Sequence, residues 1–154
     1  MMDTAKKCAA LVKIAKALNQ SGITWAVGGS SLLYFKGIAQ KFNDIDIMIA
    51  EHDVAKVKAL LNNHEKSRQG DFQTQYRSKF FGEYVIEGVD FDLIAGFTIV
   101  NKNGVHYYPL DEANIKEIAV IDKTSIPLQS VEDWTTYYNL MGRTDKVEMI
   151  KHKH

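Results

Sequence analysis

Cysteine is nearly absent from this sequence: Cys8 stands alone among 154 residues, so no disulfide framework can form and a reducing compartment fits best. Long apolar runs are missing too. Nothing approaches the roughly 20 residues needed to span a bilayer, and the opening Met1 to Lys7 is not followed by a signal-type apolar core. A soluble, cytoplasmic protein with no membrane partner is the expectation. Nor is there an excess of one charge. Nineteen Lys and Arg balance nineteen Asp and Glu, which disfavours duplex DNA and other long polyanions as partners while leaving a local basic groove open. Internal repeats, low-complexity tracts and linkers are all lacking. What is present is 45% hydrophobic residues, enough for one core and too little chain for two, so a single domain over residues 1–154 is expected.

Periodicity divides the chain. Asp3 to Gln20 reads as a helix, with Cys8, Leu11, Val12, Ala15 and Leu18 on one stripe and Gly22 as its stop. Ile23 to Val27 reads as a short buried strand running into Gly28-Gly29. Ser30 is placed to cap a helix to about Lys36, which Gly37 ends. Asp44 to Ile49 alternates, with Ile45, Ile47 and Ile49 on one face and Asp44, Asp46 and Met48 on the other. Asp53 is the expected cap of a helix whose apolar face is Val54, Val57, Ala59, Leu60 and Leu61. From Phe72 to Phe97 the pattern is strand, with a Glu87-Gly88 turn before Val89 to Ile94. Asn101 to Gly104 reads as a second hairpin turn leading to Val105 to Tyr108, where Pro109 ends the run. After a mixed stretch to Leu128, Ser130 to Asp133 resembles a capping box, and Trp134, Tyr137, Tyr138, Leu140, Met141, Val147 and Ile150 mark core-facing turns of terminal helices. Lys151 to His154 reads as a frayed tail.

Two features point to chemistry. Residues two apart on a strand share a face at about 6 to 7 Å, so Asp44 and Asp46 can converge on one hard cation such as Mg²⁺. A third carboxylate on a neighbouring strand would bridge to a second ion about 3.5 to 4 Å away. Asp90 and Asp92 both offer it. Such aspartates ordinarily mark only the wet side of a strand. Here, however, four poor strand formers sit in two otherwise apolar strands, and they would repel one another without a cation among them. Gly28-Gly29-Ser30 serves equally as a tight connection or as an anion site at a helix start, unobstructed by side chains.

Gly28-Gly29-Ser30, then Asp44-Ile45-Asp46, then an apolar-flanked Asp on a later strand, resembles the nucleotidyltransferase superfamily that includes DNA polymerase beta. The similarity is greatest to the small bacterial group related to aminoglycoside and lincosamide nucleotidyltransferases and to the minimal nucleotidyltransferases of toxin and antitoxin pairs. It spans residues 23 to 97 as motif and, more loosely, 126 to 150. Val89 to Gly96 is similar to that group's third-carboxylate strand and points to Asp92, with Asp90 as second choice. The resemblance implies transfer of a nucleoside monophosphate from a nucleoside triphosphate to an acceptor hydroxyl of a small molecule such as an antibiotic, or of a protein or tRNA. Asp44 and Asp46 would hold two Mg²⁺ ions, with Mn²⁺ as an alternative, Asp92 would complete one ion's shell and help deprotonate the hydroxyl, and Gly28, Gly29 and Ser30 would receive the β- and γ-phosphates.

The chain departs from that pattern in places. Phe42 stands where relatives often have a small hydroxyl residue, and Lys41 is the one basic residue near the preceding loop. Gly142-Arg143-Thr144-Asp145-Lys146 resembles the family's helix start with acid and base reversed, and Tyr137-Tyr138 replace a helix Lys; Arg143 and Lys146 are candidates for a nucleotide contact or for a surface ion pair. His52, His64 and His106 share no metal-ligand spacing. Arg77 and Lys79 alternate on one strand face as a groove lining or a solvated surface. The expected fold is α/β or α+β: a mixed, partly antiparallel twisted sheet of about five strands on helices, with a C-terminal helical pair. The competing function is a non-catalytic binding or antitoxin module that pairs with a helical partner, and homodimerisation is a further open possibility.

Overall fold

The computed structural model describes residues 4–66 and 78–153. Helix α1, Thr4–Gln20, turns Leu11, Ile14, Ala15 and Leu18 inward, and the chain reverses at Gly22 with the Ile23 N–H donating to the Leu18 carbonyl at 3.1 Å. Because Ile23 is spent on that closure, strand β1 covers Trp25–Gly28 rather than 23 to 27. Helix α2, Gly29–Phe35, follows without a connecting residue. Strand β2 is Ile45–Ile49, and helix α3 is Val54–Leu60. The hairpin β3 Phe80–Ile86 and β4 Val89–Ala95 comes next, then the hairpin β5 Phe97–Asn101 and β6 Gly104–Tyr108. Both match the sequence reading; the part of that strand-rich stretch before residue 78, Phe72 and Arg77 included, lies outside the described residues.

A third hairpin, β7 Glu117–Ile121 with β8 Thr124–Leu128, was not expected. Its two-residue turn is Asp122-Lys123, both left-handed at φ 50° and 58°, a conformation for which glycine or asparagine is the usual sequence sign. Helices α4 Val131–Met141 and α5 Thr144–Lys153 form the C-terminal pair. Ser130 caps α4 as expected, its hydroxyl accepting from the Asp133 N–H at 3.0 Å. Contrary to the frayed-tail reading, Lys151 and His152 continue α5 as helix.

The six strands β3-β4-β2-β1-β8-β7, in that order, make one mixed sheet, and β5-β6 stand apart as a two-stranded ribbon. The sheet has six strands where about five were expected: β7 and β8 were not read from the sequence, and the expected strand at Val105 to Tyr108 lies in the separate ribbon. β1 and β2 run antiparallel, β2 and β4 parallel, β1 and β8 parallel. The four residues of β1 and four of the five in β2 are buried; Met48, read as sharing the polar face, is buried as well. Two sequence-derived caps make no side-chain capping bond. Gly28, not Ser30, occupies the cap position of α2. Asp53 stands at the N-cap position of α3 as expected but makes no side-chain bond there; its carboxylate is buried and accepts the Thr24 N–H at 2.8 Å. In α3 only Val57 is fully buried, and Leu60 is 37% exposed.

An aromatic cluster joins the C-terminal helices to the rest. Trp134 stacks on Phe97 at 5.8 Å, Tyr137 meets Trp134 edge-on at 5.1 Å, and Tyr108 lies 4.8 Å from Tyr137. Trp134 also donates its indole N–H to the Gln129 side chain at 2.7 Å in the interior, so its polar edge is satisfied where its rings are packed. The Asp122-Lys123 turn yields the first test. Lys123→Gly removes the left-handed cost of a β-carbon, and should raise stability by about 1 kcal/mol, measured as a higher urea midpoint with an unchanged slope.

Candidate active site

The site is built where β1 ends and α2 begins. Gly29 is left-handed at φ 62°, and a β-carbon there would strike the Asp46 carboxyl, 2.9 Å from its Cγ. Glycine is therefore required twice over, by backbone conformation and by the side chain lying against it. Gly28 is hemmed in from the other side, since a β-carbon there would come within 2.7 Å of Trp134 Cζ2. Both glycines are buried and Ser30 is half-buried. Ser31, which sequence reasoning passed over, is wholly buried: its hydroxyl donates to the Gly28 carbonyl at 2.8 Å and accepts the Asp46 N–H at 3.3 Å. The turn is thus stitched to β2 at the aspartate.

Strand register then places the acids. Gly28 is level with Asp46 across the antiparallel pair, and Asp46 is level with Asp92 across the parallel pair. Asp44 immediately precedes β2 and is exposed. Asp92 therefore neighbours Asp46, whereas Asp90 lies one pleat further out, exposed, in an ion pair with Lys66 at 3.2 Å. Glu83, the residue missed on β3, lies opposite Asp92. It was findable: a two-residue Glu87-Gly88 turn fixes the hairpin register, and counting back from it pairs residue 83 with residue 92.

Burial and mutual repulsion act on these groups together. Burial pushes the Asp46 carboxyl well above the ordinary range, the charges of Asp92 and then Asp44 push it further, and the Lys146 ammonium opposes them. Asp92 is raised to about 7, first by burial, then by Asp44, Glu83 and Asp90 against Lys66. Asp44 is raised by partial burial and by Asp90 and Glu83, with Lys66 and Lys7 opposing. At each of the three the surroundings thus favour the protonated form over the charged one. As they stand, no three His, Cys, Asp or Glu side chains among the described residues gather tightly enough to hold a metal ion.

The other candidates fall outside this group. Arg143 bonds Asp145 through two nitrogens, at 3.1 and 3.0 Å, as an exposed pair. Lys41 is exposed ahead of β2. Lys79 pairs with Glu51 at 3.3 Å and lies 5.1 Å above the Tyr107 ring, tying β3 to β6. Phe42 is buried against Tyr34 at 5.0 Å, where a hydroxyl residue would find an apolar wall.

The sequence profile of the aminoglycoside-2''-adenylyltransferase family matches residues 10–152. The chain belongs to this family. Among solved structures, a Thermotoga maritima protein, TM1012, provisionally described as a nucleotidyltransferase, superposes with a TM-score of 0.75 at 23% identity, covering 98% of this chain and 94% of that one. The antibiotic-resistance factor ANT(2'')-Ia superposes at 0.61 with 16% identity over 97% and 83% of the two chains. The lincosamide antibiotic adenylyltransferase LnuA, solved with lincomycin bound, superposes at 0.56 with 17% identity over 84% of each. No curated protein matches the chain. These likenesses establish the nucleotidyltransferase fold, and no helix among the described residues is long and apolar enough to cross a membrane.

Two outcomes test this geometry. Gly29→Ala should lower stability by at least about 1 kcal/mol, from the left-handed backbone alone, and Asp46→Ala added to it should recover part of the loss by removing the colliding carboxyl; chemical denaturation reads both. The second concerns pH. Folded Asp92 keeps its proton up to about 7 while the unfolded group releases it near 3.8. Between those values the folded state binds more protons, so stability falls as pH rises. In the absence of divalent ions, the melting temperature of the wild type relative to Asp92→Asn should therefore decline from pH 4 to pH 7 and level off above it; a flat difference would refute the coupling.

Proposed function

We propose that the protein transfers a nucleoside monophosphate, adenylate first among them, from a nucleoside triphosphate to a hydroxyl of a small cationic, polyhydroxylated acceptor of the aminoglycoside kind. One observation carries the reading: Asp46 and Asp92 are neighbours across paired strands, with the glycine turn against the first of them. Family membership supports adenylyl transfer, and two of the structural neighbours are described with an antibiotic or an adenylylated antibiotic bound. The surplus of acid around the site, Asp44, Glu83 and Asp90 beside the central pair, favours an acceptor that brings positive charge.

Divalent metal fits this donor set in kind. Carboxylate oxygens are the ligands Mg²⁺ and Mn²⁺ prefer, and raised acids on adjoining strands are what a cation would relieve. Asp44, Asp46 and Asp92 would have to draw closer together to hold it, and it would supply charge neutralisation at the reacting phosphate. The backbone N–H groups of Gly28, Gly29 and Ser30 would receive the β- and γ-phosphates at the start of α2, where helix donors lack internal partners. Asp92 would accept the proton of the acceptor hydroxyl. The hydroxyl oxygen then forms its bond to the α-phosphorus as the bond from that phosphorus to the β-bridging oxygen breaks, and pyrophosphate leaves with the electron pair.

The test is incubation of the protein with each α-labelled triphosphate, Mg²⁺ or Mn²⁺, and a panel of aminoglycosides and lincosamides. The expected product is labelled acceptor plus pyrophosphate, with Asp46→Asn and Asp92→Asn each slowing it by at least about 100-fold. A nucleotide-induced rise in melting temperature without any product would instead make the chain a binding module. Neither product nor a rise would remove the reading altogether.

A further inference from the structure

We propose that β7 is a homodimerisation edge, at which two copies of the chain pair antiparallel about Ala119 and join their sheets. The inference is independent of the nucleotidyl-transfer reading. β7 is one margin of the six-stranded sheet, and β3 is the other. The β3 margin is partly covered: Glu65 bridges to Tyr84, and the Lys66 N–H donates to the Glu83 carbonyl at 2.9 Å. At β7 no strand or bridge covers the margin among the described residues.

The backbone at that margin is set by the hairpin. A two-residue turn closes on a hydrogen-bonded pair, here Ile121 with Thr124. Ile121, Ala119 and Glu117 therefore direct their N–H and C=O groups to β8, and Ile118 and Val120 direct theirs outward. Pro127 agrees with this, since it lacks an N–H and stands opposite Ile118. The outward residues are also large, apolar and exposed, Ile118 at 59% and Val120 at 69%. An open strand edge of this kind is a template for pairing, which proteins usually blunt with charge in the middle of the strand. Here charge stands only beyond the two apolar residues.

The register follows from that charge. Lys116 and Asp122 stand just beyond the two ends of β7, at the same two-residue spacing as Ile118 and Val120; both are exposed, and neither has an ion-pair partner among the described residues. Centring the pair on Ala119 sets Lys116 opposite the second copy's Asp122 and Ile118 opposite its Val120, each twice by symmetry. The same register pairs the outward N–H and C=O groups of Ile118 with those of Val120. Shifting the centre to the bond between Ala119 and Val120 would oppose lysine to lysine and acid to acid. Polar, apolar and backbone requirements thus select one arrangement, whose occupant is a second copy of this chain. On the opposite face Glu117 is held by Lys36 at 2.7 Å, so it does not enter the self-pairing as a free charge.

Sedimentation velocity of the full chain over about 1 to 500 µM should show reversible conversion from 17.4 kDa to twice that mass. Val120→Lys and Ile118→Lys, at exposed positions, should each weaken dimerisation at least about tenfold with the melting temperature of the monomer unchanged. Lys116→Asp and Asp122→Lys should each abolish the dimer alone, and mixing the two variants should restore it as a heterodimer. A wild type that stays monomeric throughout overturns the proposal. So does a dimer indifferent to Val120→Lys, and so does a mixture of the charge variants that fails to associate.

Discussion

The position of Asp46 between Gly28 on one side and Asp92 on the other is the constraint on which the rest of the molecule depends. The two alignments are of different kinds, one antiparallel and one parallel. β1, β2 and β4 must lie side by side for both to hold, which in turn requires the chain to travel through α2 and α3 between strands. Trp134 closes the arrangement from behind by filling the space a larger residue at position 28 would need. The C-terminal helices therefore act on the site through packing, and the aromatic cluster they share with Phe97 and Tyr108 gives that packing its rigidity.

Concentrating carboxylates on adjoining strands runs against stability. Cross-strand like charges repel, and here burial adds to the effect at Asp46 and Asp92. The nearby cations answer only in part: Lys66 is engaged with Asp90, and Lys146 reaches Asp46 through its field. A fold that keeps such a group in place must compensate elsewhere. The core supplies this, with Trp25, Tyr84, Phe91 and a bed of leucines and isoleucines wholly withdrawn from water.

Much of this was legible in the sequence because the informative residues obey simple periods. Alternation revealed β2 and β4, the turn residues Glu87-Gly88 and Asn101 to Gly104 revealed two hairpins, and the Ser130 cap announced α4. The same rules failed where a local signal was weak or served another purpose. The β7–β8 hairpin turns on Asp122 and Lys123, which tolerate a left-handed backbone without advertising it. Ser30 and Asp53 are good capping types, yet the structure uses Ser31 and Asp53 to bind the backbone of distant strands. Side-chain type reports that a hydrogen bond will be made, not with which backbone. Glu83 needed only the register count from the turn, whereas the field of Lys146 on Asp46 depends on how α5 folds back, which no local pattern encodes.

Asp53 and Ser31 have a joint consequence for how the central strands find their alignment. Both faces of β1 are covered, and nearly all of β2, so alternating polarity gives little information against a slip of one residue. Such a slip would turn the Asp46 carboxylate into the hydrocarbon interior and scatter the acidic group. Asp53 fastens the strand pair at its Thr24 end and Ser31 fastens it at its Gly28 end. The two side chains work like dowels at either end of a joint, so placement of the acids rests on one buried carboxylate and one buried hydroxyl that set the strands' phase.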